Sequence, residues 1–278
     1  MITSNLNNIN KYLDLDNFTF IEHDIQESIY FDEDIDYVVH LASCASPKAY
    51  SKFPINTLKS GSIGTINALG IAKKHNAQFF LASTSEIYGD PEVSPQPEDY
   101  WGNVNTRGPR SMYDESKRFA ESATQSYVTT HGLVGNIARI FNTYGPNMQI
   151  DDGRVVTNFI YQALNNRDIT IYGKGIQTRS FSYIDDTLEG ILKIIHNNES
   201  DVFNIGNDNE ITINYLAEKI IELTNSKSEI VFLELPENDP KQRKPDLTKA
   251  RKLLSYEPKI SLDEGLKLTI DWISNNYK

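Results

Sequence analysis

Short apolar runs alternate along this chain with longer stretches in which apolar residues recur at helical spacing. Tyr37-Val38-Val39-His40-Leu41 and Gln78-Phe79-Phe80-Leu81-Ala82 are brief runs rich in β-branched and aromatic residues, the signature of buried strands. Asn17 to His23, which includes Phe18, Phe20 and Ile21, predicts another strand, and Val134 to Ile140 a further one. Pro54 to Lys74 and Ser111 to His131 carry the helical period. Strands alternating with helices predict an α/β fold with a doubly wound parallel sheet.

From Asn147 onward the pattern changes. Arg154 to Asn165, Tyr183 to His196, Thr212 to Thr224 and Ser261 to Asn275 read as helices. Between them lie short strands at Ile169–Tyr172 and Val202–Ile205, a turn at Gly173-Lys174-Gly175, and a charged loop from Glu237 to Asp246. The expected division is therefore a sheet domain over 1–146 and a smaller lobe over 147–278, interleaved with the end of the sheet. Residues 1–16 are polar, Asn-rich and weakly patterned.

Charge and cysteine content narrow the classes of function. With 27 basic and 38 acidic residues the net charge is −11, which argues against nucleic acid or an anionic membrane as partner. Cys44 is the only cysteine, so no internal disulfide is possible. No apolar run reaches spanning length, and the N-terminus lacks a signal-peptide pattern, so a soluble cytoplasmic protein is expected. The five histidines are scattered and no metal-ligand spacing occurs.

The chemistry concentrates between Leu81 and Lys117. Thr84, Ser85 and Glu86 fall just past the end of a predicted strand, the edge where open α/β sheets bind ligands. Tyr113 and Lys117 stand four apart in a helical run and share a face. A free phenol titrates near ~10, so a neighbouring ammonium must supply roughly 4 kcal/mol to bring it down by roughly 3 units and make a base of it. Alone, the Tyr-x-x-x-Lys spacing more often describes a solvated helix face.

With Leu81-Ala82-Ser83-Thr84-Ser85-Glu86-Ile87-Tyr88-Gly89 before it and Arg139-Ile140-Phe141-Asn142-Thr143-Tyr144-Gly145-Pro146 after it, the pattern resembles the extended short-chain dehydrogenase/reductase family of nucleotide-sugar enzymes. Within that family it is most similar to the branch that decarboxylates UDP-glucuronate to UDP-xylose with NAD as cofactor. The resemblance implies that Tyr113 takes the proton of the sugar C4 hydroxyl, Lys117 tunes it and holds the nicotinamide ribose, and Thr84 bonds the C4 oxygen. Ser85 and Glu86 would manage proton and water near C5. Ser85 stands where the related dehydratases usually carry aspartate, and epimerases generally lack the acid at position 86. On the cofactor side, Asp24 and Ile25 match the adenine contact, and Leu41, Ala42 and Ser43 the segment along the dinucleotide. Thr57 and Lys59 would reach toward ribose and substrate. Tyr172, Gln177 and Arg179 match residues lining the nucleotide, and Asn142, Arg154 and Val155 are further substrate contacts. Lys241-Gln242-Arg243-Lys244-Pro245-Asp246 resembles a loop whose arginine, here Arg243, clamps the substrate anion; its planar fork suits a carboxylate or a phosphate. Family members commonly pair as homodimers through the two long helices.

Two departures stand out. Gly61 occupies a helix position where the family generally has asparagine, at a cost of up to roughly 1 kcal/mol in helix propensity relative to alanine. A strand, Gly-x-Gly-x-x-Gly turn and helix, which hold the pyrophosphate in such folds, do not occur in the 278 residues; Gly61-Ser62-Ile63-Gly64 lies inside a helix. The expectation is an N-terminally incomplete, Rossmann-like sheet belonging to a fragment, with Asn17–His23 left without a neighbour and Tyr37–Leu41 an exposed edge. The alternatives are another nucleotide-sugar dehydratase or epimerase, and a non-catalytic UDP-sugar-binding homologue.

Overall fold

Four parallel strands form the sheet that the apolar runs predict. A computed structural model describes residues 3, 5–234 and 242–277. In chain order the first half runs β1 (Tyr37–His40), α1 (Pro47–Lys52), α2 (Pro54–His75), β2 (Gln78–Thr84), α3 (Ser111–His131), β3 (Gly135–Ile140) and β4 (Thr143–Tyr144). It continues as α4 (Val155–Leu164), β5 (Ile169–Tyr172), β6 (Thr178–Ser180), β7 (Ser182–Tyr183), α5 (Ile184–Ile195), β8 (Val202–Ile205) and β9 (Glu210–Thr212). It ends as α6 (Ile213–Thr224), β10 (Ile230–Leu233), β11 (Gln242–Arg243), α7 (Thr248–Leu254) and α8 (Leu262–Asn276).

The main sheet has the order β1-β2-β3-β8, all parallel. Successive side chains of a strand face opposite sides, and β2 uses both sides for burial. Phe79 and Leu81 pack with Ala68, Leu69 and Ala72 of α2 and with Ala120 and Ala123 of α3. Phe80 packs on the other face with Ile194 of α5, Ala250 of α7 and Tyr256. A strand covered on both faces reads as a continuous apolar run, which is why β2 is legible. The architecture is α/β and doubly wound.

Asn17–His23 forms no strand. No neighbouring strand lies beside it among the described residues, and Phe20 and Ile21 are 39% and 51% exposed; β-propensity without a ladder partner yields extended coil. β1 pairs only with β2 in the described sheet, so it is an edge.

A second core gathers Phe159 and Ile160 of α4, Ile171 of β5, Leu216 and Ile220 of α6 and Ile270 of α8. α5, β8 and α7 come from the same half of the chain yet pack on the main sheet. The chain thus crosses back, and the small three-stranded sheet β11-β6-β9 carries Arg243 to the strand-end edge.

Gly61 has a packing reason. A Cβ there would lie 2.6 Å from both Cβ and Oγ of Ser116, so the glycine lets α2 and α3 approach closely beside Tyr113 and Lys117. Its helix-propensity cost therefore accompanies a close helix crossing.

Candidate active site

β2 ends at Thr84, whose side chain caps the next turn of chain. Thr84 Oγ1 accepts the Glu86 amide at 3.3 Å, opening a 3-10 turn over Ser85–Tyr88. Gly89 closes that turn with φ of 65°, and an added Cβ would meet the Asn103 carbonyl oxygen at 1.9 Å. Only glycine fits such a position. The result places Ser85 and Glu86 across the C-terminal edge of the sheet.

α3 supplies the opposite wall. Arg110 is its N-cap and Tyr113 lies in its first turn. Tyr113 stacks on Tyr50 at 5.3 Å between ring centroids and shares a side-chain hydrogen bond with Thr84. One turn further, Lys117 donates from Nζ to the Ala82 carbonyl at 2.7 Å and lies 6.0 Å from the Tyr113 ring centroid. Both side chains are buried.

Burial dominates the electrostatics of this pair. It pushes the Tyr113 phenol up to about 12, reinforced by the charges of Glu86 and Asp114 and opposed by the Thr84 hydrogen bond and Arg154. Burial likewise lowers Lys117 to about 8, against the pull of Glu121. The expectation that Lys117 draws the phenol down is not met in this arrangement: the ammonium donates to a backbone carbonyl, and burial sets the direction of the Tyr113 shift.

Glu86 is gripped by two arginines. Arg243 meets it at 2.5 Å through Nη1 and 2.8 Å through Nη2, and Arg110 forms a further ion pair with Oε2. Burial raises the carboxyl, but Arg243 and then Arg110 outweigh it and hold Glu86 down to about 2. Arg243 also donates to Ser85 Oγ at 3.1 Å and to the Gly89 carbonyl at 3.2 Å, and is 2% exposed. Its guanidinium locks Glu86 and Ser85 and is not turned outward as an anion clamp. Lys241, which precedes it in the loop, lies outside the described residues.

Gln96 positions that arginine. It is fully buried, its amide donates to the Lys244 carbonyl at 2.8 Å and its Oε1 accepts the Lys244 amide at 2.9 Å. β11 also pairs Arg243 with Arg179 of β6. Gln96, Arg110 and Asp114 escaped sequence reasoning; the spacing of Arg110 three residues before Tyr113 was the one available signal for it.

The structure gathers Thr84, Ser85, Glu86, Tyr113, Lys117 and Arg243 and sets Arg154 and Arg179 near them. Arg154, half-buried at the N-cap of α4, pairs with Asp152 at 3.4 Å and its charge acts on Tyr113, while the charge of Arg179 acts on Glu86. Asn142 is half-buried just past β3, and Val155 opens α4. Thr57 is fully buried and donates its hydroxyl to the Phe53 carbonyl at 2.9 Å, so it presents no hydroxyl to a ligand. Lys59 is exposed on α2. Tyr172 is 49% exposed and its carbonyl accepts Gln177 Nε2 at 2.7 Å, a local turn contact.

Along the β1 edge, Asp24 accepts the Gln26 amide at 3.0 Å, while Ile25 is held against α2 by Asn67, which donates to its carbonyl at 2.9 Å. Leu41 is 59% exposed and Ala42 exposed; Ser43 Oγ is buried with no hydrogen-bond partner among the described residues. His40 is buried beside them. Thr65 donates its hydroxyl to the Gly61 carbonyl, so its oxygen accepts from His40 Nε2 at 3.0 Å and fixes the neutral Nε2–H tautomer. Burial, aided by Lys117, lowers His40 to about 4.

A doubly wound sheet with a Tyr/Lys pair and a Thr-Ser-Glu turn on one strand-end edge defines a class of α/β proteins that bind at that edge. The GDP-mannose 4,6 dehydratase family model matches residues 2–269, and the chain belongs to that family. Two curated relatives are a UDP-glucuronic acid decarboxylase from Danio rerio and another from Arabidopsis thaliana. The first is 47% identical over 99% of this chain and 66% of its own length, the second 48% over 96% and 77%. The chain thus spans just under two thirds of the Danio rerio relative. Among solved structures, the UDP-glucuronic acid 4-epimerase of Bacillus cereus, in complex with UDP-glucuronic acid and NAD, superposes with a TM-score of 0.86 at 27% identity. That match covers 98% of this chain and 86% of the epimerase. Among the described residues no helix is long and apolar enough to cross a membrane.

Proposed function

We propose that the protein decarboxylates UDP-glucuronate to UDP-xylose through a 4-keto intermediate, with NAD as cofactor. The observation that carries this reading is the meeting of Tyr113, Thr84 and Glu86 at one strand end, with Ser85 rather than an acid between the last two. Identity of 47% and 48% to decarboxylases from a vertebrate and a plant supports it.

The residues present fit part of a dinucleotide. Ser43 brings a buried, unpartnered hydroxyl to the end of β1, Leu41 offers exposed apolar surface, and Lys117 and Tyr113 stand at the neighbouring strand end. The sequence carries no Gly-x-Gly-x-x-Gly motif of the kind that cradles a pyrophosphate. Asp24, Ile25, Leu41, Ala42, Ser43, Tyr113 and Lys117 would hold the cofactor. When bound, NAD⁺ supplies the hydride acceptor for C4 and later returns the hydride.

Tyr113 takes the C4 hydroxyl proton, held in line by Thr84. Burial holds its phenol up to about 12, so it would serve as base only with a further positive charge beside it. A carboxylate β to the new carbonyl leaves as CO₂, and C5 takes a proton in its place. Arg243 keeps Glu86 ionised and aimed at that edge, and Arg154 and Arg179, which the resemblance matches to substrate contacts, would meet the anionic groups of the substrate. The same reading includes a homodimer through α2 and α3, where Ile55, Ile63, Ile66 and Phe119 are exposed.

The test is to incubate the purified protein with UDP-glucuronate and NAD⁺ and weigh the nucleotide sugar. A product lighter by one CO₂ supports the proposal. Equal mass with inverted C4 selects a 4-epimerase, loss of water a dehydratase, and unchanged substrate a binding protein.

A further inference from the structure

Beside Glu86 lies a small polar cavity of about 80 Å³. Glu86, Arg110, Arg243 and Asp114 line it together with Asp90, Asn103 and Asn105, and the last three are exposed to solvent. It is roomy enough for water, which needs about 10–15 Å³ of such space, and its lining offers several polar partners. Asp114 is 7% exposed, and its Oδ1 is buried with no hydrogen-bond partner among the described residues. A buried carboxyl oxygen without a protein partner, on a cavity that reaches solvent, calls for an explanation.

The proposed reaction supplies one, and the inference rests on that reading. Loss of CO₂ from a uronate breaks the C5–C6 bond and leaves its electron pair in an enolate over C5, C4 and O4. C5 must then gain a proton, so each turnover consumes one proton from solvent: R–COO⁻ + H⁺ → R–H + CO₂. Glu86, clamped by Arg243 and Arg110, is a carboxylate at every ordinary pH and stores no proton itself.

We propose that Asp114 and this cavity form the relay that resupplies the C5 proton: the Asp114 carboxyl passes its proton along the cavity waters, beside the ionised Glu86, to C5, and is reprotonated from solvent past Asn103 and Asn105. Asp114 acts through other groups and is a positioning residue for the proton. The charged and titratable groups around it suit the task. Burial, then Glu86, raises its carboxyl to about 7, with Arg110 and Arg243 opposing and Glu115 adding to the rise. Tyr50 of α1 and Tyr113 of α3, both buried neutral phenols, complete its surroundings. An acid that changes state near neutrality can both give and regain a proton at each cycle.

The experiment compares the purified protein with Asp114→Asn and Asp114→Glu, each with UDP-glucuronate and NAD⁺, by initial rates of CO₂ release and UDP-xylose formation from pH 5.5 to 9. The relay predicts that the unsubstituted protein slows as pH rises through about 7. Asp114→Asn should lose that dependence and run roughly 10- to 100-fold slower with little change in KM, and Asp114→Glu should restore part of rate and profile. Asp114→Asn with unaltered rate and profile overturns the relay while leaving the decarboxylase reading intact. An unsubstituted protein that releases no CO₂ overturns both. Should Asp114→Asn fold poorly, the unsubstituted profile decides alone, since a flat rate across pH 6 to 8.5 overturns the relay.

Discussion

Two buried arginine–carboxylate clusters lie along α3, and they are built to different ends. Near the middle of the helix, Glu121 meets Arg139 of β3. Arg139 donates from Nε and Nη2 to Glu121 at 3.1 and 2.8 Å, and from Nη1 to Tyr88 Oη at 2.9 Å and the Glu98 carbonyl at 2.7 Å. Ser83 adds a bond to Glu121 at 2.5 Å, and Tyr88 passes the network on to Asn204 at 2.8 Å. At the first turn of the same helix, Glu86 draws in Arg110 and Arg243, yet Arg243 Nε and Asp114 Oδ1 have no hydrogen-bond partner among the described residues. A closed network rigidifies a core. An open one at a strand-end edge keeps hydrogen-bonding capacity for something else, and its titrations are displaced in opposite directions, Glu86 down and Asp114 up.

Substitutions can separate the two kinds of cluster. Tyr113→Phe removes the base beside the open cluster and keeps its packing on Tyr50, so decarboxylation should fall by about 10³- to 10⁴-fold with little change in the urea midpoint. Arg139→Ala should do the reverse: it strands Glu121 in the interior and lowers stability by about 3–5 kcal/mol in urea unfolding. Gly61→Asn should cost about 1–3 kcal/mol, because its Cβ meets Ser116 at 2.6 Å, and should disturb Tyr113 and Lys117 on the same helix. If Gly61→Asn leaves both the urea midpoint and the activity unchanged, the close crossing of α2 and α3 is not what the glycine serves.

A further effect concerns pH, and in the unsubstituted protein it largely cancels. His40 titrates at about 4 in the fold and 6.5 unfolded, so the unfolded chain binds its proton first as pH falls. That contribution is present above 6.5 and lost as pH drops through 4, at most about 3 kcal/mol. Asp114, raised to about 7, acts in the opposite sense, since the fold binds its proton first and gains stability as pH falls from 7 toward 4. The two offset each other in the unsubstituted protein. In Asp114→Asn the His40 slope should appear in urea midpoints between pH 6.5 and 4, and His40→Gln on that background should flatten it.

Much of the sheet was legible because strands buried on both faces cannot hide their apolar runs. β1 and β2 stand where those runs are, and α3 spans Ser111–His131 as its period predicts. Asn17–His23 misled because a strand needs a partner, which composition does not supply. Within the site, Thr84, Glu86, Tyr113 and Lys117 were singled out by the family resemblance rather than by spacing alone, and the fold brings them to one strand end. Gln96, Arg110 and Asp114 were not, because their meaning arises from a pairing between residues far apart, as when Gln96 binds Lys244. The direction of the Tyr113 shift was also missed, since spacing reveals a neighbouring charge but not the depth of burial.

The most direct test is to run the reaction in D₂O with UDP-glucuronate and NAD⁺ and read the purified nucleotide sugar by proton NMR. The account predicts a UDP-pentose with one deuterium at C5 and the original configuration at C4. A recovered uronate with inverted C4 and its carboxylate intact would contradict it, and would move the protein to the epimerase side of its family.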